Sequence, residues 1–75
     1  MIIKILGSGC KKCVMLGENA KAAAVAAGKQ AEVIKVTDFA EIAAYGVMST
    51  PGLVVDEKVL SAGKVLTAEE IGRLL

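Results

Sequence analysis

Cys10 and Cys13 are the only cysteines of the chain, and they lie in the stretch Gly7-Ser8-Gly9-Cys10-Lys11-Lys12-Cys13. Thiols at this spacing either close a disulfide ring within one helical turn or converge on a single soft metal ion. No histidine accompanies them. That excludes Ser/His/Asp and Cys/His catalytic arrangements and Cys/His zinc fingers, and leaves any chemistry to sulfur. Two thiolates supply only half of a tetrahedral zinc site, and a crosslink over so short a loop removes little entropy from the unfolded chain. Structural zinc and a purely structural disulfide are therefore not expected. Met15 and Met48 could add sulfur to the site, but flexible filling or a partner surface is the ordinary use of such residues.

The thiolate, not the thiol, is the nucleophile, and a helix N-terminus favours it through unpaired N–H groups and the positive end of the helix dipole. Cys10 stands where a helical pattern begins, and Lys11 and Lys12 place two cations beside it. Such surroundings lower a thiol from about 8.5 into a range of about 3.5 to 7.5. Cys10 is thus expected to attack. Cys13 begins the apolar stripe of the helix, where it is shielded and less ionised, as suits a resolving thiol. In the expected cycle Cys10 attacks a substrate disulfide, and Cys13 then attacks Cys10 and releases the reduced substrate.

The elements that must position these thiols can be read in order. Ile2 to Leu6 is a short aliphatic run interrupted only by Lys4 and reads as a central strand. Lys4 must reach the sheet edge or find a partner, because an unpaired buried charge is costly. From Cys13 to Ala27 a helical stripe of Cys13, Leu16, Ala20, Ala24 and Ala27 follows, with Gly17 suggesting close backbone approach and Gly28 as the stop. Ala31 to Val36 reads as a second strand, parallel to the first through a right-handed crossover.

Asp38 and Glu41 resemble a capping box, with Thr37 the alternative cap, ahead of a short helix from Phe39 to Tyr45. After the connector Val47 to Gly52, Leu53–Val55 and Lys58–Leu60 flank Asp56-Glu57 at hairpin spacing. Thr67 to Glu70 caps a last helix whose apolar face is Ile71, Leu74 and Leu75. The order is βαβαββα, an α/β domain spanning 1–75 with no internal repeat.

At 75 residues, 55% apolar and 3% aromatic, the chain should bury nearly all its apolar side chains in a tightly packed aliphatic core. Nine basic residues against eight acidic give a net charge of +1, too little to concentrate nucleic acid or an anionic membrane. No apolar run reaches the ~18 residues of a transmembrane helix. The segment from Met1 to Leu6 runs directly into the cysteine motif without a small-residue cleavage site, so a cytoplasmic location is expected. In a reducing cytoplasm a Cys-x-x-Cys is catalytic or metal-binding rather than structural.

Gly9-Cys10-Lys11-Lys12-Cys13 after the first strand, together with Ser49-Thr50-Pro51-Gly52 before the third, resembles the thioredoxin and glutaredoxin superfamily. The resemblance is greatest to the very small archaeal and bacterial thioredoxin-like proteins called redox-active disulfide proteins, and it covers almost the whole chain. It implies a minimal thioredoxin-like fold, a four-stranded mixed sheet flanked by three helices, and an enzyme with thiol–disulfide oxidoreductase activity. It further implies Pro51 in cis facing the cysteines and Thr50 as the docking position for an extended partner segment, with Met48, Ser49 and Gly9 on the rim. Gly9, Lys11, Lys12 and Pro51 would shape the site. The partners implied are a disulfide-containing protein and a thiol reductant, either a protein reductase or a low-molecular-weight thiol. No cofactor or resident metal is implied, and the chain is expected to be monomeric.

The motif lacks the Trp before it and the Gly-Pro within it that thioredoxins usually carry, and Lys4 rather than a carboxylate stands six residues before Cys10. The first strand therefore offers no acidic proton acceptor. The rival reading is a Cu(I)-binding or carrier module using the same two cysteines. Copper-chaperone-like domains, however, commonly carry Met where this chain has Ser8, and need a strand where Asp38 to Tyr45 reads as helix.

Overall fold

Successive side chains of a strand point to opposite faces, and in this protein that alternation decides where the helices lie. The computed structural model describes residues 1–75 in the expected order: β1 (Ile2–Leu6), α1 (Lys11–Ala26), β2 (Glu32–Val36), α2 (Phe39–Ala44), β3 (Gly52–Val55), β4 (Lys58–Ala62) and α3 (Ala68–Leu74). Ile3 and Ile5 of β1 and Leu53 and Val55 of β3 pack with Leu16, Ala20, Ala23 and Ala24 of α1 and Ile71 of α3. Leu6, Val54 and Val36 point the other way and pack with Ile42 of α2 and Val47. Two aliphatic clusters thus sandwich one sheet. The small alanines of α1 pack against β1 beside Leu16.

The sheet order is β2-β1-β3-β4. β1 runs parallel to β2, with Leu6 opposite Val36, and antiparallel to β3, with Leu6 opposite Gly52. β3 and β4 are antiparallel, with an irregularity between Leu53 and Val54. Being central, β1 is covered on both faces. Its C-terminal end therefore meets the start of α1, the end of β2 and the start of β3 at a single place.

Local chemistry sets the element ends. Cys10 has extended backbone as the N-cap of α1. At the other end Lys29 N–H donates to Ala24 and Gly28 N–H to Val25, a Schellman closure that needs the left-handed φ of +68° that Gly28 supplies. Asp38 caps α2 by accepting from Ala40 N–H, so Thr37 is not the cap. Thr67 and Glu70 form a reciprocal capping box on α3. Asp56 and Glu57 make the β3–β4 turn with φ values of +47° and +69°, as a two-residue hairpin requires.

Several expectations need correction. Ala27 is exposed and Ala23 takes its place in the stripe, while Leu74 is 50% exposed and leaves Ile71 as the only fully buried residue of α3. Both miss because real contact directions along a helix are finer than the spacing rule. Gly17 is buried, but a Cβ there would lie 3.8 Å from Ile5, an ordinary contact rather than a close approach. The apolar side chains are not nearly all inside: Met48, Val25 and Phe39 are 95%, 78% and 77% exposed. So small a domain lacks the interior volume to enclose them.

Candidate functional site

The strand-to-helix junction after β1 presents two sulfurs with different surroundings. Cys10 is exposed because, as N-cap, it lies outside the helical barrel, whereas Cys13 is 4% exposed because it falls on the stripe that faces β1. Their Sγ atoms are 2.8 Å apart, and Cys13 N–H also donates to Cys10 Sγ at 3.4 Å. The Cys13 thiol, and then that backbone N–H, hold the Cys10 thiol below its ordinary value against a small opposing desolvation. Burial first, and the bond to Cys10 second, push the Cys13 thiol up. The exposed sulfur is therefore the more acidic, and in the singly ionised pair the buried S–H donates to it. Lys11 and Lys12 are both exposed in the first turn of α1, and Lys12 contributes to the lowering of Cys10 through its backbone N–H.

Gly7 is the spacer on which this geometry depends. It ends β1 with its N–H bonded to Val36 O at 2.9 Å. A Cβ there would collide with Cys13 Sγ and sit 3.7 Å from Thr50 Cβ. Cys13 and Thr50 therefore approach each other across the width of one missing methyl group. The Thr50-Pro51 peptide is cis, and Pro51 is buried while Met48, Ser49 and Thr50 are exposed. The loop is pinned from β4: Gly63 N–H donates to Pro51 O at 2.9 Å, and a Cβ on Gly63 would come within 2.9 Å of Ser49 Cβ. Gly9, at φ +82°, is exposed at the lip. Every residue expected at the site by the sequence pattern thus lies at the same end of the sheet.

Four contributors carried no sequence signal of that role. Gly7 stood in the motif, but a spacing role depends on α1 folding back over it. Lys35 and Thr37 share with Gly7, Gly9 and Cys13 a cavity of about 10 Å³, close to the size of one water. They arrive there only because β2 pairs in register with β1. Gly63 belongs to the loop after β4, and its bond to Pro51 extends the β3–β4 ladder one step beyond the Gly52–Ala62 pair.

Lys4 finds the partners its position required. Its Nζ donates to Tyr45 Oη at 2.7 Å and to Glu57 Oε1 at 2.8 Å, and Tyr45 Oη donates to Glu57 Oε2 at 3.0 Å. Glu57 and then Tyr45 raise the Lys4 ammonium above its ordinary value, and Lys4 lowers the Glu57 carboxyl. This network lines an open groove of about 370 Å³ on the α2 side that contains no residue of the cysteine motif. It joins β1, α2 and the β3–β4 turn, and is architectural. Of the two thiols only Cys10 is at the surface, and α2 is helical where a copper-chaperone plan needs a strand.

A family model described as a thioredoxin domain matches residues 1–75. A protein named thioredoxin from Methanocaldococcus jannaschii is 44% identical over 71 residues, covering 95% of this chain and 81% of the relative. Another protein named thioredoxin, from Methanothermobacter thermautotrophicus, is 39% identical over 75 residues, covering 100% of this chain and 97% of the relative.

Proposed function

The chain belongs to the thioredoxin domain family and is a thiol–disulfide oxidoreductase, and we propose that Cys10 is its attacking thiol and Cys13 its resolving thiol. One observation carries the assignment: the two sulfurs lie 2.8 Å apart with one exposed at a helix N-terminus and the other buried. The Cys10 thiolate attacks one sulfur of a substrate disulfide, and the displaced sulfur leaves with the electron pair and takes a proton from water. Cys13 then loses its proton to water and attacks Cys10 Sγ, forming the Cys10–Cys13 disulfide and releasing the second substrate sulfur as a thiolate. The substrate gains two electrons and the protein loses two. An external thiol reductant, a protein reductase or a low-molecular-weight thiol, restores the dithiol.

A protein substrate fits a site whose attacking sulfur is exposed and has a cis-proline loop beside it. Thr50 offers its backbone to an extended segment of the partner, with Met48, Ser49 and Gly9 at the rim, and Pro51 sets the loop's shape. Residues 1–75 act as a single domain and as a monomer. No helix is long and apolar enough to cross a membrane. A lone thiol pair used for exchange rather than crosslinking fits a reducing compartment, and we place the protein in the cytoplasm.

The trapping experiment decides the roles. Cys13→Ser, mixed with a disulfide-bonded protein, should accumulate a mixed disulfide through Cys10. Accumulation only with Cys10→Ser would reverse the assignment. A wild-type protein that fails to cycle reversibly between dithiol and disulfide in redox buffers would overturn the scheme.

A further inference from the structure

The net charge of +1 conceals a segregation that folding creates. Lys11 and Lys12 follow the attacking sulfur and are exposed. Lys35 pairs opposite Ile5 near the C-terminal end of the parallel strands and lines the small cavity beside Cys13. Lys64 follows Gly63, whose N–H is bonded to Pro51 O, so it lies beside the cis-proline loop, and it too is exposed. Against these four lysines the same end of the sheet carries one carboxylate, Asp38, already engaged in capping Ala40 N–H.

The remaining acids are elsewhere. Asp56 and Glu57 turn β3 into β4, and Glu32 starts β2, all at the far end by register. Glu69 faces the C-terminal half of α1, with Glu70 next to it in the first turn of α3. Glu41 lines the groove with Lys4, and Glu18 lies along α1 in a cleft it shares with Lys21 and Lys35. Outside the cysteine end, five cations face seven carboxylates. The chain is a dipole with its positive pole at the thiols.

We propose that the surface around Cys10 and the cis-proline loop docks an acidic segment of a protein partner, with Met48, 95% exposed, as its apolar contact. This rests on the oxidoreductase reading and adds the chemistry of the partner to it. Lys11, Lys12 and Lys64, three exposed cations flanking Cys10 and the cis-proline loop, raise the encounter rate of an anionic segment and disfavour a cationic one by like-charge repulsion. Exposed charges act mainly on association, so the preference weakens as salt shortens the screening length from about 10 Å at 0.1 M to about 3 Å at 1 M.

The test uses the reduced full-length protein and two synthetic peptides with the same disulfide ring, one flanked by Asp and Glu and the other by Lys and Arg. Neutral bis(2-hydroxyethyl) disulfide serves as reference. At low ionic strength the acidic peptide should be reduced about tenfold faster than the basic one, at the lower end of electrostatic steering, and the ratio should fall towards one at about 1 M salt. In Lys11→Gln/Lys12→Gln/Lys64→Gln the ratio should fall to about threefold or less, a comparison that cancels any change in Cys10 ionisation. Equal rates for the two peptides, a preference for the basic one, or a ratio indifferent to salt would overturn the proposal. So would a single-stranded oligonucleotide that binds and blocks both peptides alike, since the surface would then serve nucleic acid. Failure to reduce the neutral disulfide would instead overturn the oxidoreductase reading beneath it.

Discussion

Gly7→Ala tests whether the geometry of the thiol pair depends on one missing methyl group. The added Cβ would collide with Cys13 Sγ, with Cys13 Cβ at 3.5 Å and Thr50 Cβ at 3.7 Å closing the other directions. Relief requires either a backbone shift of β1 against α1 or rotation of the Cys13 side chain away from Cys10. Overpacking of this kind costs about 1–3 kcal/mol. A Gly-to-Ala change also stiffens the unfolded chain, which offsets about 0.4–1 kcal/mol, since Gly7 does not use a left-handed backbone. The net loss is about 1–2 kcal/mol. With an unfolding entropy of about 2.1 cal/mol/K per residue, the reduced protein should melt about 6–12 °C lower.

A second readout separates this site from generic strain. The Cys13 thiol is the leading influence holding Cys10 below its ordinary value, so its displacement should move the alkylation midpoint of Cys10 upward. Thermal unfolding by circular dichroism and iodoacetamide alkylation across pH measure the two effects. Gly17→Ala is the control: its Cβ would meet only Ile5 at 3.8 Å, and removing glycine from a helix interior should stabilise by up to about 1 kcal/mol. Equal melting temperatures for wild type and Gly7→Ala, with the Cys10 midpoint unmoved, would refute the spacer argument.

Two further outcomes follow from the side-chain contacts. Cys13→Ala removes the S–H donor, so the Cys10 alkylation midpoint should rise towards the ordinary thiol value, whereas Cys13→Ser keeps an O–H donor and should shift it less; identical midpoints in the two variants would contradict the hydrogen-bond cause. Glu57 has its carboxyl held below the ordinary value of about 4.3 by Lys4 and then Tyr45, so its contribution is present above that value and lost as pH falls through the depressed folded one. Glu57→Gln should therefore flatten the acid limb of melting temperature against pH, and parallel acid limbs in the two proteins would show that the network does not couple to folding.

The site was legible in the sequence to the extent that its parts are local. Cys10 as N-cap and Cys13 on the stripe follow from a spacing that one helical turn enforces, and Asp38, Thr67 and Gly28 mark element ends through hydrogen bonds that span a few residues. The order of elements follows from hydrophobic periodicity for the same reason. Lys4 announced only that it needed a partner. Tyr45 and Glu57 were not identifiable as that partner, because they come from a helix end and a turn more than forty residues away.

What folding alone decided is the company each residue keeps. Gly7 became a spacer when α1 packed over it, Lys35 and Thr37 reached Cys13 through strand register, and Gly63 met Pro51 through the pairing of β3 with β4. Phe39 looked like core by type and is left outside because both faces of the sheet are already covered by aliphatic clusters. A composition nearly neutral in charge became a molecule with a positive pole around Cys10, since net charge counts residues whereas a field depends on where the fold puts them. Sequence spacing determined that two thiols would meet at the start of a helix. The tertiary structure determined what presses against the shielded one and what approaches the other from outside.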